Sequence, residues 1–152
     1  MSRLRLVLPV CALIMLVALA AVGTPQVGEV RYINNPGRTD NNPYSNMVVA
    51  GDRVYLAGAI GVDPATGSVP DDLEQEIRIV LDSMKTRLEM VGLTMDDLVS
   101  VTVFCPDLTL YGPFNDIYRT YFEAHFPVRA FVGSGPLLAD AHFEIVGTAV
   151  RR

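Results

Sequence analysis

Two charged residues stand inside otherwise apolar stretches of the sequence, and their side chains could do chemistry. Arg129 interrupts the stretch 128–132, and Glu144 interrupts the stretch 143–146. A guanidinium group offers a planar fork that matches a carboxylate, whereas a carboxylate can orient or deprotonate a water molecule. We predict that the two residues lie on neighbouring strands. A structural ion pair and a substrate site are both compatible with this pattern.

Other titratable side chains carry weaker signals. His142 lies two residues before Glu144, on the same side of the expected strand, where it could relay a proton or simply be a partly exposed strand residue. His125 and His142 are far apart and Cys105 has no nearby cysteine partner, so the sequence predicts no metal site. Cys105 ends an apolar strand, which favours a buried and unreactive thiol.

The elements that position these residues follow from the hydrophobic periodicity. Short apolar runs predict strands at 30–33, 47–50, 53–59, 98–105, 128–133 and 142–150. Helical spacing predicts a first helix that is capped by Asp71 and ends before Gly92, and a second helix over 110–124. Within the strand 98–105, residues Val99, Val101 and Val103 are expected to share one face.

The order β-β-β-α-β-α-β-β predicts an α+β fold in which one sheet carries two helices on one face. Val, Ile and Phe recur at positions of both parities in the strands. The face without helices therefore also needs cover, and we expect an oligomer whose sheets turn inward.

The mean hydropathy of +0.30 is high for a domain of this kind, and much of it comes from residues 1–23. Arg3 and Arg5 precede an uncharged run of 18 residues, and the segment Ala18–Ala20 carries the small residues of a cleavage site. We predict a signal peptide over 1–23, export to the periplasm or outside the cell, and one domain over 24–152. The alternative is an uncleaved anchor, because the run just reaches the length of a membrane span.

The charge balance narrows the function classes. Without the leader, 10 basic residues stand against 17 acidic ones, and Cys105 is the single cysteine. An acidic domain is poorly suited to non-specific binding of nucleic acid, which needs a basic surface. One cysteine cannot form an intramolecular disulfide.

Five short motifs occur in order along the domain. They are Asn42-Pro43-Tyr44-Ser45, the glycines and turn in Gly58-(x)4-Asp63-Pro64-(x)2-Gly67, Val101-Thr102-Val103-Phe104, Phe114-Asn115-(x)2-Tyr118-(x)3-Phe122, and Phe126-Pro127-Val128-Arg129. Together they resemble the RidA/YjgF (Rid) family of reactive-intermediate deaminases, over about residues 30 to 150. The resemblance implies a chorismate-mutase-like α+β fold and a homotrimer with active sites in the clefts between subunits.

The same resemblance implies an activity and a set of site residues. The family hydrolyses small 2-imino acids, or their enamine tautomers, to 2-keto acids and ammonia without a cofactor. By position, Arg129 matches the residue that binds the substrate carboxylate, and Glu144 matches the residue that positions the attacking water. Tyr44 and Asn115 match residues that line the pocket. Phe131 occupies a position whose backbone carbonyl helps to hold the water.

Two departures from the family pattern indicate a divergent branch. The segment Ala57-Gly58-Ala59 replaces Ser-Gly-Gln, and Ala130 replaces a serine after the arginine. Both changes are expected to remove polar groups from the pocket. A non-catalytic, trimeric module that binds small ligands or acts as a holdase is the alternative function, and an endoribonuclease is the third, disfavoured by the acidic balance.

Overall fold

A six-stranded mixed sheet carries two helices on one of its faces. The computed structural model describes residues 28–152, so the predicted leader over 1–23 lies outside the described residues. The strands are β1 (Val30–Ile33), β2 (Met47–Ala50), β3 (Arg53–Ile60), β4 (Leu98–Cys105), β5 (Val128–Gly133) and β6 (Glu144–Val150), and the helices are α1 (Leu73–Glu89) and α2 (Tyr111–Tyr118). The predicted α+β class and element order are confirmed.

The strands follow the order β1-β2-β3-β6-β4-β5 across the sheet. Neighbours are antiparallel except β4 and β5, which are parallel. The predicted hairpin of β2 and β3 is present, with Gly51 at φ 62°, a conformation that glycine adopts without strain. Because β4 lies between β5 and β6, the prediction that Arg129 and Glu144 occupy neighbouring strands is wrong.

Helix α1 buries an apolar stripe against the sheet. Ile77, Val80, Leu81, Met84 and Leu88 are at most 1% exposed, and each such side chain stabilises the fold by about 1.5–3 kcal/mol. The predicted cap at Asp71 is wrong by one residue. The carboxylate of Asp72 accepts from the backbone N–H of Glu74 at 2.9 Å, which satisfies a free donor of the first turn.

A buried carboxylate fixes the start of β6. Glu76 is fully buried, and its Oε1 accepts from the backbone N–H groups of His142 at 2.7 Å and Phe143 at 3.3 Å. Its Oε2 lies 2.6 Å from His142 Nδ1. These two backbone groups therefore cannot join the sheet, and β6 begins at Glu144 rather than at His142 as predicted. His142 is bound to Glu76 and does not serve as a partner of Glu144.

Helix α2 is shorter than predicted. It ends at Tyr118 and continues only as a 3-10 turn over Arg119–Tyr121. Arg119 Nε donates to the carbonyl oxygen of Asn115 at 3.1 Å, and the Thr120 hydroxyl donates to that of Ile117 at 2.7 Å. The backbone becomes extended at Phe122 (φ −121°, ψ 136°), so the helix stops before Ala124.

An irregularity in β4 changes which valines are buried. The register between β4 and β6 shifts between Leu98 and Ser100. As a result, Leu98 is buried and Val99 is 39% exposed, although Val101, Val103 and Cys105 are buried as predicted. A bulge of this kind reverses the side to which earlier residues point.

The face of the sheet opposite the helices is apolar and only partly covered. Its apolar side chains belong to five strands and are half-buried or exposed: Val48, Tyr55, Phe104, Val128, Val132 and Val146. We call this surface the open face. No helix within residues 28–152 is long and apolar enough to cross a membrane.

Candidate active site

Arg129 lies on the face of the sheet that carries the helices. It is level with the buried Val101 of β4, so its side chain extends towards α2. The Arg129 Nη2 group donates to the side-chain oxygen of Asn115 at 2.6 Å, and the guanidinium carbon lies 4.5 Å from the ring centroid of Tyr118. The amide and the ring hold the guanidinium plane in one orientation.

One nitrogen of this arginine and the neighbouring Tyr118 hydroxyl lack hydrogen-bond partners. The Nη1 atom of Arg129 and the hydroxyl oxygen of Tyr118 are buried, and neither makes a hydrogen bond within residues 28–152. Burial raises the pKa of Tyr118 to about 12, so its hydroxyl stays neutral at physiological pH. Buried polar groups in folded proteins are nearly always satisfied. A free cationic donor next to a neutral hydroxyl is suited to binding a carboxylate.

A cavity of about 360 Å³ gives access to this group. It is lined by Tyr111, Asn115, Tyr118, Arg119, Phe126, Pro127 and Arg129. The size suits a small organic molecule, and the walls combine aromatic rings with the polar groups of two arginines and an asparagine.

Phe131 forms part of the aromatic wall behind Arg129. Its ring centroid lies 5.0 Å from that of Tyr111 in an edge-on arrangement and 5.5 Å from that of Phe114. Such aromatic pairs stabilise by about 0.5–1.5 kcal/mol beyond their buried area. The side chain of Phe131 is therefore a packing element on the same face as Arg129.

Glu144 lies on the open face, away from this cavity. It is level with Phe104 of β4 and Ile60 of β3, and its carboxylate makes no hydrogen bond to another residue of the described part of the chain. The carboxylate lies over Gly58, where a Cβ atom would overlap Oε1. The Glu144 carboxylate can keep this position only while residue 58 has no side chain.

A bulge in β3 creates the place where Glu144 rests. The register between β3 and β6 shifts between Leu56 and Ala59, so Ala57 and Gly58 together oppose one residue of β6. Ala59 is 3% exposed and faces the core. The effect of Ala59 on a pocket between chains stays a prediction, because within its own chain this side chain packs in the core.

Tyr44 is not brought to Arg129 within one chain. It is 52% exposed, and its ring packs under the guanidinium of Arg38 at 4.7 Å. Arg38 Nη1 also donates to the Tyr44 carbonyl oxygen at 2.7 Å. The loop before β2 is held by this arginine, and it presents Tyr44 at the surface.

The structure thus places the predicted residues in three groups. Arg129, Asn115 and Phe131 lie together, Glu144 lies on the other face, and Tyr44 lies on a loop. Sequence reasoning missed the site role of Tyr118, whose position three residues after Asn115 on the same helix face could have indicated it. Among residues 28–152, no group of three or more His, Cys, Asp or Glu side chains is arranged to hold a metal ion.

The fold and site define a class of small α+β domains with a cavity suited to a small ligand, and comparison with known proteins identifies the family. A family model described as Endoribonuclease L-PSP matches residues 37–151. The 2-iminobutanoate/2-iminopropanoate deaminase of Escherichia coli is 38% identical over 113 residues, which cover 72% of this chain and 88% of that protein. TdcF of Escherichia coli, which carries the name of a reactive intermediate deaminase, is 34% identical over 112 residues, or 72% of this chain and 87% of TdcF.

Solved structures agree with these relatives. The crystal structure of the Escherichia coli YjgF gene product has a TM-score of 0.74 and 35% identity, covering 80% of this chain and 99% of that one. The structure of Escherichia coli TdcF with bound serine has a TM-score of 0.70 and 32% identity, covering 80% and 94%. The chain belongs to the L-PSP (YjgF/RidA) family, as the sequence motifs indicated.

Proposed function

We propose that this protein hydrolyses small reactive 2-imino acids, or their enamine tautomers, to 2-keto acids and ammonia. The observation that carries the proposal is the buried Nη1 of Arg129, which has no hydrogen-bond partner within residues 28–152 and belongs to a residue that, like Tyr118, lines the cavity of about 360 Å³. Relatives named as a reactive intermediate deaminase, at 34% identity, and as a 2-iminobutanoate/2-iminopropanoate deaminase, at 38%, support a deaminase-type reaction. In this proposal Arg129 binds the substrate carboxylate and Asn115 fixes its orientation.

The complete site is proposed to form between chains of a homotrimer. Arg129 and Glu144 extend from opposite faces of one sheet, so a single chain cannot bring both to one small substrate. The apolar open face is suited to contact with other copies, since exposed apolar surface of this kind marks an interface. Glu144 of one subunit would then complete the Arg129 cavity of the next, and Tyr44 would line the cleft from its exposed loop.

The proposed reaction needs orientation more than strong activation. Water adds to the electrophilic C2 of the iminium group, and Glu144 accepts a proton from that water. Glu144 returns the proton to nitrogen, and the C2–N bond breaks to release ammonia. As the C2–O bond becomes a carbonyl, the hydroxyl proton passes to Glu144 and from there to solvent, which accounts for the positive charge of the starting iminium. Holding water and iminium carbon in contact supplies the main acceleration. The overall reaction consumes one water and releases one ammonia, and in our proposal no cofactor takes part.

The absence of a hydroxyl at Ala57 is proposed to alter substrate choice. Ala57 lies in the bulge beside Gly58, on which the Glu144 carboxylate rests. A methyl group there cannot bond to a polar substrate tail. We therefore expect a preference for imines of alanine-like and aminobutyrate-like size over those with polar side chains.

The proposal is tested by measuring imine lifetime directly. An amino acid oxidase generates 2-iminopropanoate or 2-iminobutanoate in solution, and the imine that remains is trapped with semicarbazide. Wild-type protein should accelerate the loss of the imine, whereas Arg129→Ala should not. Decay at the buffer rate with wild-type protein would refute the proposal for these substrates.

A non-catalytic binding module is the second candidate function, because the Arg129 cavity could hold a carboxylate without turnover. It would be favoured if 2-ketobutyrate bound to wild-type protein, binding depended on Arg129, and imine decay stayed at the buffer rate. RNA cleavage ranks third because the chain has a net charge of −5. RNA cleavage that survives purification and disappears in Glu144→Ala would reverse this order.

We also propose that residues 1–23 direct the protein out of the cytoplasm and are then removed. The basic start, the uncharged run and the small residues near Ala20 support this role. Mass spectrometry of the protein from cell fractions provides the test. A periplasmic or secreted product that lacks the leader is expected, and a full-length product in the membrane fraction would indicate the anchor instead.

A further inference from the structure

A second arginine is buried without a counter-ion, at a place separate from the Arg129 cavity. Arg87 lies near the end of α1 and is 7% exposed. Its Nη1 donates to the carbonyl oxygen of Ala57 at 3.0 Å, but its Nε has no hydrogen-bond partner within residues 28–152. Burial lowers the pKa of this guanidinium, since water is excluded from it.

A buried cation of this kind is costly unless it is paired. An ion removed from water regains the lost hydration energy only through opposite charge and hydrogen bonds. Within residues 28–152, no carboxylate forms a salt bridge with Arg87. The Ala57 carbonyl oxygen accepts only from Nη1, so the Nε–H edge of the guanidinium has no acceptor within residues 28–152. That edge is suited to an acceptor supplied by a ligand.

The free edge belongs to a residue that lines a cavity of about 540 Å³ between α1 and the loops at 35–36 and 62–64. Asn35 also lines this cavity, and its buried Oδ1 is a second atom without a hydrogen-bond partner within residues 28–152. Most of the remaining wall is apolar: Pro36, Ile60, Val62, Pro64, Ile79 and Met90. Ser83 and Thr86 add two hydroxyl groups to the wall. A cavity of this volume that is lined mainly by apolar side chains and carries a smaller number of polar groups is typical of small-molecule sites.

An acidic residue also borders this cavity but does not neutralise the arginine. Asp82 is exposed, and its carboxylate accepts a hydrogen bond from the Tyr121 hydroxyl at 2.9 Å. The positive charge of Arg87 is therefore the dominant feature of the buried end, and Asp82 lies where the cavity meets solvent.

We propose that this cavity binds a small monocarboxylate with an aliphatic body, with the carboxylate on the Nε–H edge of Arg87 and the body against the apolar wall. The Oδ1 of Asn35 would accept from a hydroxyl or amino group on the ligand, so a 2-hydroxy or 2-amino acid should bind more tightly than the plain acid. This second site does not depend on the deaminase proposal, because it uses no residue of the Arg129 cavity.

The test uses full-length chain carrying Arg129→Met, which removes the other carboxylate site from the measurement. Isocaproate is titrated by calorimetry, with isocaproamide as a neutral ligand of the same shape. Isocaproate should bind and isocaproamide should bind at least about tenfold more weakly, because a charge-assisted hydrogen bond is lost. The Nε–H resonance of Arg87, assigned from its absence in Arg87→Met, should shift on addition of isocaproate.

Two further variants test whether Arg87 binds the ligand in this cavity or only stabilises the fold. In the Arg129→Met background, Arg87→Met should weaken isocaproate binding by about tenfold or more. Ile79→Trp should do the same by filling the cavity while the guanidinium stays in place. Circular dichroism checks that each variant is folded. If Arg87→Met does not fold, Ile79→Trp still tests the proposal. Absence of isocaproate binding, or binding unchanged by Ile79→Trp, would overturn the proposal.

Discussion

Arg129 and Glu144 extend from opposite faces of the same sheet, although both were expected to serve one reaction. On the intervening strand β4, Arg129 is level with Val101 and Glu144 with Phe104. Residues an odd number of positions apart on a strand point to opposite sides. In the proposed trimer, each chain would therefore contribute two half-sites, one under α2 and one on the open face.

The proposed shared site predicts that two inactive variants restore each other. Arg129→Met and Glu144→Gln should each be inactive as pure proteins. When the two are unfolded, mixed in equal amounts and refolded together, random assortment in a trimer should restore about one quarter of the sites. Imine decay measures the recovery.

A mixture of the two variants refolded separately and then combined is the control, and it should stay inactive until subunits exchange. No recovery in the co-refolded mixture, despite trimers of mixed composition by native mass spectrometry, would contradict a site shared between chains.

The planar fork of Arg129 should matter beyond its charge. Arg129→Lys keeps a cation but cannot both donate to Asn115 and offer a second, parallel donor to the substrate. We expect kcat/KM for 2-iminobutanoate to fall about 100-fold, which corresponds to roughly 3 kcal/mol. Arg119→Lys is the matched control, because Arg119 lines the same cavity but is exposed. An equal loss in both variants would argue against the assigned role of Arg129.

Gly58→Ala should remove activity with little loss of stability. The added methyl group would overlap the Glu144 carboxylate, which ends a flexible side chain and can move aside. The fold should therefore survive while the carboxylate leaves its position. Steady-state imine decay and thermal unfolding measure the two effects. Gly135→Ala, which meets nothing within 4 Å, should change neither. Full activity in Gly58→Ala would show that the resting position of Glu144 is unimportant.

Glu76 should be important for stability and not for the reaction. Glu76→Leu leaves the backbone N–H groups of His142 and Phe143 without their acceptor. We expect the free energy of unfolding in urea to fall by about 3 kcal/mol, since each buried unsatisfied donor costs about 1–3 kcal/mol. Glu76→Gln retains one oxygen acceptor and should lose less. Equal stability of Glu76→Leu and wild type would contradict the inferred clamp.

Alkaline pH should destabilise the protein through Tyr118. Its pKa is about 12 in the folded chain because of burial, against an ordinary value of 10.0. A raised pKa favours the protonated native state, so this stabilisation is complete below pH 10 and is lost as pH rises towards 12. Relative to Tyr118→Phe, the wild-type free energy of unfolding should fall by up to about 1.4 kcal/mol per pH unit in this window. If the free energies of unfolding of wild type and Tyr118→Phe fell equally between pH 10 and 12, the raised pKa assigned to Tyr118 would be contradicted.

Local pattern was enough to predict most elements of the fold. The alternating residues of β4 and the turn at Gly51-Asp52 place those elements correctly, because a strand buried on one face and a tight turn both leave strong signals in a few residues. The errors occur where distant groups intervene. The start of β6 depends on Glu76, which is 66 residues away from His142, and the exposure of Val99 depends on a bulge set by pairing with β6.

The site could be predicted only in part for the same reason. Arg129 and Asn115 are 14 residues apart and form one hydrogen bond, and their pairing follows from a helix packed beside the edge strand. Which face each residue uses depends on strand order and register. Strand order and register are properties of the whole sheet and cannot be read from a short stretch of sequence. The sequence pattern therefore predicted Arg129 and Glu144 on neighbouring strands, whereas in one chain they are separated by β4.

The open face also has a consequence for activity at different protein concentrations. If each working site combines halves from two chains, an isolated chain has no activity, and the reaction rate per molecule depends on how fully the chains are associated. Dilution below the dissociation constant of the assembly would then switch the enzyme off without any change at the site itself. In a compartment where the protein is scarce, assembly rather than substrate supply would set the rate of imine removal.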